Sequence, residues 1–121
     1  LYSAAQDNLA ELCWQQLQFW LAELGITTEL VRASDLPLNS CKSELVLDIC
    51  RSLKADHYLS GALGRDYLDE AAFAAAGIEV SYQAFSAPTY PQLWGEFVPG
   101  LSVLDWWMNS GDSQHECREW L

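Results

Sequence analysis

The stretch HYLSGALGRDYLDEAAFAAAGIEVSYQAF, residues 57–85, decides the fold. Its first four residues predict a short strand, which runs into a loop that contains two glycines. Asp69 can cap a helix that Gly77 closes, and residues 78–85 alternate apolar and other side chains as a second strand does. A strand, a helix and a strand in this order are typical of two parallel strands joined by a crossover.

Helices and strands also alternate on the N-terminal side of this stretch. Residues 2–24 carry apolar side chains at spacings of three and four, which predicts an amphipathic helix closed by Gly25. Residues 26–33 are rich in Thr, Val, Ile and Leu, which favours a strand. A second helix is predicted from a cap at Ser43 to about Lys54. The order predicts an α/β fold of alternating helices and mostly parallel strands, a three-layer Rossmann-like half-domain.

The C-terminal part of the chain is predicted to be less regular. Residues 86–100 contain three prolines, and residues 101–108 predict a short helix capped by Ser102 and ended by Asn109-Ser110-Gly111. A length of 121 residues fits one domain or a large part of one, so residues 1–121 are predicted to form a single α/β unit.

The composition narrows the classes of partner. Seventeen acidic against six basic residues give a net charge of −11, which argues against binding to nucleic acid or to an acidic membrane surface. We find no membrane-spanning apolar run and no signal peptide, so a cytoplasmic location is expected. The four cysteines match no zinc template, and those at positions 13 and 50 are predicted to be buried thiols. No metal site is predicted, and the cofactor is unknown.

The loop after the first strand of the opening stretch is the first candidate site. Glycines let the backbone approach a ligand, and an arginine can clamp a phosphate or carboxylate. Ligands of parallel sheets bind beyond the carboxyl ends of the strands, so Ser60 and Arg65 are expected to face a crevice there. The alternative is a tight surface turn in which Arg65 pairs with Asp66 or Asp69. The candidate residues are Ser60, Gly61, Gly64 and Arg65.

Two further candidates lie in the C-terminal part. The segment 85–97 combines prolines with aromatic rings and the amide of Gln92, which suits stacking and hydrogen bonding to a sugar or nucleobase; it could equally be a hydrophobic cover over the sheet. Asp105 and Asn109 are four residues apart and share a helix face. They complete a polar site, or Asn109 only caps the helix. The ring-binding candidates are Tyr90, Gln92 and Trp94.

Read together, these segments resemble the WbqC-like protein family. The resemblance covers nearly the whole chain in a consistent order. It is carried by Tyr58-Leu59-Ser60-Gly61, Gly64-Arg65-Asp66-Tyr67-Leu68, Gly77-Ile78-Glu79-Val80, Tyr90-Pro91-Gln92-Leu93-Trp94-Gly95-Glu96-Phe97-Val98-Pro99, Leu101-Ser102-Val103-Leu104-Asp105 and Asn109-Ser110-Gly111.

The resemblance implies a role in the biosynthesis of surface polysaccharides such as O-antigen. It implies acyl or aminoacyl transfer to a nucleotide-activated amino sugar by a transferase or ligase. General acid–base work needs a positioned titratable group and no histidine is well placed, so Asp105 is the acid–base candidate. Whether the chain is an enzyme stays open, because a non-catalytic module that binds a sugar or a partner protein fits the same residues. Family members are about twice as long, so this chain resembles a C-terminal half, and the N-terminal half is an expected partner beside the nucleotide-sugar.

Overall fold

The computed structural model describes residues 7–110. They form four α-helices, two strands and two 3₁₀ helices, the latter at Ala33–Asp35 and Ala62–Asp66. They cluster into two compact units: unit 1 holds the described residues of Leu1–Glu29 and Ala87–Leu121, and unit 2 is Leu30–Ser86. The regular elements are α1 (Leu9–Glu23), α2 (Lys42–Ser52), β1 (His57–Ser60), α3 (Glu70–Ala75), β2 (Glu79–Tyr82) and α4 (Val103–Asn109).

Unit 2 contains the parallel pair that the opening stretch predicts. β1 and β2 run parallel, with His57 opposite Glu79 and Ser60 opposite Tyr82. The α/β class is therefore confirmed. Within residues 7–110 the sheet has only these two strands, so the three-layer Rossmann-like arrangement is not confirmed.

The strand predicted over residues 26–33 is wrong. The chain there has no strand and enters the 3₁₀ helix at Ala33–Asp35. A β-rich composition stabilises a strand only through packing and pairing with neighbours. Here Val31 keeps 44 % of its surface exposed, and no strand among residues 7–110 pairs with the segment.

Most of the predicted capping residues lie at helix ends, and Ser43 is the exception. Gly25 and Gly77 adopt the left-handed conformation that was predicted for them, at φ 68° and 74°. The cap at Asp69 is confirmed, because its carboxylate accepts a 3.1 Å bond from the Ala72 amide. Ser43 is not the cap of α2, which begins after Cys41; its hydroxyl instead accepts a 2.8 Å bond from the Asp69 amide.

α1 begins at Leu9, so residues 7 and 8 of the predicted helix are not helical. Its cap is Asn8, whose side chain accepts a 2.8 Å bond from the Ala10 amide. The predicted helical residues 2–6, and Gly111 at the end of the last helix, lie outside the described residues.

Each unit has its own apolar core. In unit 2, Leu47, Cys50, Phe73 and Ile78 are buried together, and the rings of Tyr58 and Phe73 stack at 5.8 Å. In unit 1, Leu24 and Trp106 are buried, and Trp20 meets Trp107 edge to face at 5.7 Å. The buried thiol predicted at position 50 is thus confirmed, and the one at Cys13 is wrong because that side chain is exposed.

Residues 7–110 contain neither a helix that could span a membrane nor a cluster of metal-binding side chains. None of the helices there has the length and apolarity that a bilayer span requires. Over the same residues, no three His, Cys, Asp or Glu side chains are grouped as a metal ion would need.

Candidate functional site

The carboxyl ends of β1 and β2 meet at one edge of the sheet. Ser60 and Tyr82 are opposite each other as the last residues of the two strands. The amide of Gln83 donates a 2.8 Å bond to the carbonyl oxygen of Ser60, which extends the pairing past Tyr82. The loop that begins at Gly61 therefore leaves the sheet at the edge where parallel sheets bind their ligands.

Ser60 lies beneath this loop rather than on its surface. Only 2 % of its surface is exposed, and its hydroxyl donates a 3.1 Å bond to the carbonyl oxygen of Gly61. The same oxygen accepts a 2.9 Å bond from the amide of Gly64, which closes the first turn. The side chain of Ser60 thus shapes the turn from inside, and its role in binding a ligand stays a prediction.

The two glycines of the loop have different reasons to be glycine. A Cβ atom on buried Gly64 would overlap the hydroxyl of Ser60 and come within 3.1 Å of Leu68 Cδ1, so a side chain does not fit. A Cβ atom on Gly61 would meet nothing within 4 Å. Gly61 also has φ −65° and ψ 162°, which any residue adopts. Ser60 would have to move to admit a side chain at position 64, whereas there is open space beside position 61.

Arg65 follows Gly64 and rests on an aromatic ring. Its guanidinium carbon lies 4.3 Å from the centre of the Tyr82 ring, within the range of a cation–π contact. No carboxylate among residues 7–110 forms an ion pair with it, so the alternative pairing with Asp66 or Asp69 is not found there. The exposed cation keeps its charge available for an anion.

Tyr82 is itself held by a carboxylate. Its hydroxyl donates a 2.6 Å bond to Glu70 Oε1. This bond raises the pKa of Tyr82, because losing the proton would break it and place two negative charges side by side. The phenol is therefore neutral at physiological pH, and its ring face is the part that contacts Arg65.

A second polar cluster lies in unit 1 and is centred on Asp105. The hydroxyl of Tyr90 donates a 2.7 Å bond to Asp105 Oδ2, and the amide of Gln92 donates a 3.2 Å bond to the same oxygen. The bond from Tyr90 to the carboxylate raises the pKa of the phenol. Asp105 is half-buried, and its Oδ2 atom is occupied by groups of the chain itself.

Gln92 and Asn109 also use their side chains within the protein. Gln92 Nε2 donates to the carbonyl oxygen of Val98 at 3.0 Å, and its Oε1 accepts from the Val98 amide at 2.9 Å. Asn109, the last residue of α4, donates a 2.8 Å bond to the backbone oxygen of Asp105. These contacts fix the segment 90–98 as an internally closed loop. The ligand-binding roles of Gln92 and Asn109 stay predictions.

Trp94 is the exposed aromatic ring of this loop. It keeps 87 % of its surface exposed, next to Leu93 at 78 % and to Gly95 at φ 71°. Tyr90 and Phe97, by contrast, pack edge to face at 5.5 Å. The loop therefore has a closed base and one large ring that projects into solvent.

Unit 2 also contains an open pocket of about 510 Å³ near the start of α2. Lys42 and Arg51 give it positive charge, and Glu44 and Asp69 give it negative charge. Arg51 is already paired with Asp48 at 3.3 Å. The pocket is thus a second place in unit 2 where an anion could meet an arginine.

The comparisons with known proteins address the family directly. A family model described as the WbqC-like protein family matches residues 1–117. The chain belongs to the WbqC-like protein family. The resemblance stated from the motifs is therefore confirmed, and the match covers all the candidate site residues.

One curated relative is an uncharacterized protein of Mycobacterium tuberculosis, Rv1507c. It is 34 % identical over 117 residues, which cover 93 % of this chain and 51 % of the relative. The chain thus spans about half the length of that relative. No solved structure matches the chain.

Sequence reasoning missed Tyr82 and Glu70. The predicted second strand ran to residue 85, whereas β2 ends at Tyr82. With that boundary, Tyr82 was one more apolar position on a strand face rather than the last residue of the strand. Pairing the end of the first strand with the end of the second was the signal that would have placed Tyr82 beside the glycine loop.

Proposed function

We propose that the sheet edge of unit 2 binds an oxyanion of a nucleotide-activated amino sugar, with Arg65 as the charged contact and the backbone at Gly61 as the point of close approach. The observation that carries the proposal is the guanidinium of Arg65, which stands at the carboxyl end of a parallel pair without an ion-pair partner among residues 7–110. A planar guanidinium binds phosphate or carboxylate through two parallel N–H bonds.

Net charge supports this reading of Arg65. In a chain with seventeen acidic and six basic residues, potential carboxylate partners are plentiful. Arg51 has such a partner in Asp48, whereas Arg65 has none among residues 7–110. An exposed arginine that rests on a ring instead of a carboxylate is pre-arranged for an anion from outside the chain.

The test is calorimetric titration of the full-length protein with inorganic pyrophosphate, the group that most nucleotide-sugars share. The Arg65→Ala variant is expected to bind at least about tenfold more weakly, as the loss of a charge-assisted contact predicts. Arg51→Ala is the matched control and is expected to bind as the wild type does.

The opposite pattern of affinities would assign the anion site to a different part of unit 2. If Arg51→Ala lost affinity and Arg65→Ala kept it, pyrophosphate would bind in the pocket near the start of α2, and the proposal for the sheet edge would be refuted. Unchanged melting temperatures for both variants would show that neither loss comes from unfolding.

For the reaction, we propose acyl or aminoacyl transfer to the amino sugar within surface-polysaccharide (O-antigen) biosynthesis, with Asp105 as the acid–base residue. The support is the family, together with a half-buried carboxylate whose Oδ1 atom has only a 3.5 Å contact, from Asn109. Mass spectrometry of nucleotide amino sugars incubated with the protein and an acyl or aminoacyl donor tests it. A product in the wild type that Asp105→Asn does not form supports the role, and equal product from both refutes it.

A second candidate function is a non-catalytic sugar-binding or partner-binding module. The observation that favours it is Trp94, a large ring projecting from a loop whose base is closed. Stacking on a sugar face would use such a ring. Quenching of tryptophan fluorescence by amino-sugar oligosaccharides that Trp94→Ala removes would support the module, and equal quenching in both proteins would exclude it.

The proposed partner within longer WbqC-like proteins is the remainder of the chain. Because this chain covers 51 % of the relative, we propose that the other part packs against this one and completes the site. The two parts of the relative can be produced as separate chains. Co-elution in size-exclusion chromatography supports the proposal, and separate elution contradicts it.

A further inference from the structure

The contacts around Arg65 form a chain of three side chains that are distant in sequence. The guanidinium lies on the Tyr82 ring at 4.3 Å, and the Tyr82 hydroxyl donates to Glu70 at 2.6 Å. Arg65 belongs to the loop after β1, Glu70 opens α3, and Tyr82 ends β2. Three different elements thus contribute to the orientation of one exposed cation.

We propose that Tyr82 and Glu70 are positioning residues of the anion site: the Tyr82 ring supports the Arg65 guanidinium, and the Tyr82 hydroxyl engages Glu70 so that this carboxylate does not neutralise the arginine. The inference rests on the proposed function, because it assigns these two residues to the oxyanion site at the sheet edge. Neither residue was among the candidates from the sequence.

The Tyr82 ring can hold the Arg65 guanidinium without occupying all of its hydrogen-bond donors. A cation over an aromatic face is attracted by the ring electrons and does not give up all five N–H donors to it. Donors that remain free can reach a phosphate or carboxylate oxygen. A carboxylate partner would instead occupy donors with two parallel bonds and would compete with the ligand.

Glu70 is the carboxylate that could become such a competitor. One of its oxygens is bound to Tyr82, whose ring carries Arg65, so it lies near the cation without pairing with it. Removal of the Tyr82 side chain would free that oxygen and leave Arg65 without its support. The two effects act in the same direction, and both weaken binding of an anion.

Pyrophosphate titrations of the full-length protein separate the ring from the hydroxyl. Tyr82→Leu is expected to bind about tenfold more weakly, the product of about fivefold for the lost exposed cation–π contact and about twofold for the freed carboxylate. Tyr82→Phe keeps the ring and is expected to lose about twofold, through the freed carboxylate alone. Adding Glu70→Gln to Tyr82→Leu is expected to restore part of the affinity, because the competing charge is gone.

The recovery in the double variant is the decisive part. A merely structural role for Tyr82 predicts that Glu70→Gln removes one more contact and weakens binding further or leaves it unchanged. Either outcome, or a Tyr82→Leu variant that binds as tightly as the wild type, would overturn the inference. Melting temperatures measured in parallel identify any variant that is not folded.

A second measurement needs no ligand and so distinguishes failure of the inference from failure of the proposed function. In ¹H–¹⁵N spectra, the Nε–H signal of Arg65 in the wild type is expected to carry a ring-current shift. This shift should persist in Tyr82→Phe and vanish in Tyr82→Leu. An Arg65 signal that is the same in all three proteins would overturn the positioning role, even where pyrophosphate binds. Absence of pyrophosphate binding to the wild type would instead refute the oxyanion site itself, and with it this role there.

Discussion

The sheet edge of unit 2 and the Asp105 cluster of unit 1 differ in what their polar groups bind. In the cluster, Tyr90 and Gln92 donate to Asp105, and Gln92 also holds both backbone groups of Val98. At the sheet edge, the guanidinium of Arg65 has a ring beneath it and no ion-pair partner among residues 7–110. In the cluster most polar side-chain groups bind one another, whereas the sheet edge leaves a charged group for a ligand.

This difference separates two kinds of polar residue that look alike in sequence. Hydrogen bonds within the chain stabilise a loop and give it one conformation, whereas a group without an internal partner is ready to bind. On this account the loop 90–98 of unit 1 is rigid, and the sheet edge of unit 2 presents a charged group to a ligand.

The closest packing at the sheet edge is at Gly64. Gly64→Ala is expected to lower the free energy of unfolding by about 2 kcal/mol, because its Cβ atom would overlap Ser60 and force the turn apart. Gly61→Ala is the control and should change it by no more than about 0.5 kcal/mol, since the added methyl group meets open space. Urea denaturation of the three proteins measures both values.

A double variant tests the stated cause. Ser60→Ala removes the hydroxyl that Gly64→Ala would strike, so the two changes together should cost less than the sum of the single changes. Strict additivity would show that Gly64 is required for another reason. Equal destabilisation by Gly61→Ala and Gly64→Ala would remove the distinction between the two glycines.

The hydrogen bond between Tyr90 and Asp105 should be measurable in the titration of Tyr90. The bond to Asp105 raises the pKa of Tyr90 above its ordinary value of 10.0, so its phenol should ionise at a higher pH than an exposed tyrosine does. Asp105→Asn keeps the shape but removes the charge and should bring this pKa back down. Absorbance of the phenolate, compared with the Tyr90→Phe variant, isolates the signal.

The raised pKa of Tyr90 also determines how the stability of the protein changes at high pH. The folded protein holds the Tyr90 proton more tightly than the unfolded chain, so this contribution is complete below pH 10.0 and is lost as the pH rises through the higher folded-state pKa. Tyr90→Phe should therefore lose less stability above pH 10.0 than the wild type does. A steeper loss in Tyr90→Phe would contradict the bond to Asp105.

The smallest expected effect is at Trp94. With 87 % of its surface exposed, its replacement by alanine should change the free energy of unfolding by less than about 0.5 kcal/mol. Chemical denaturation followed by circular dichroism avoids the lost fluorescence of the ring. A loss well above this value would mean that Trp94 packs in solution and does not project from a closed loop.

Much of the fold could be predicted from local signals. Gly25, Asp69 and Gly77 mark helix ends correctly, because capping depends on one or two residues. The parallel pair also follows from the order of elements. The segment 26–33 could not be predicted in this way, since a strand needs a partner and its composition says nothing about whether one is present.

The geometry of the candidate site was predicted in part for the same reason. The glycine loop and Arg65 were visible as a motif beside a strand end. The contacts of Arg65 and Glu70 with Tyr82 could not be predicted, because the second strand was predicted to end at residue 85. It ends at Tyr82, whose hydroxyl binds Glu70. Tyr90, Gln92 and Asn109 were named as binding residues, and the structure shows that each donates a hydrogen bond to Asp105.

The most direct test of the central claim is a ¹H–¹⁵N titration of the protein with inorganic pyrophosphate, in which every assigned amide reports at once. The account predicts that the largest shifts fall on residues 61–66 and on the Nε–H group of Arg65, with residues 90–98 little changed. Largest shifts in residues 90–98, or near Lys42 and Arg51, would contradict the assignment of the anion site to the sheet edge.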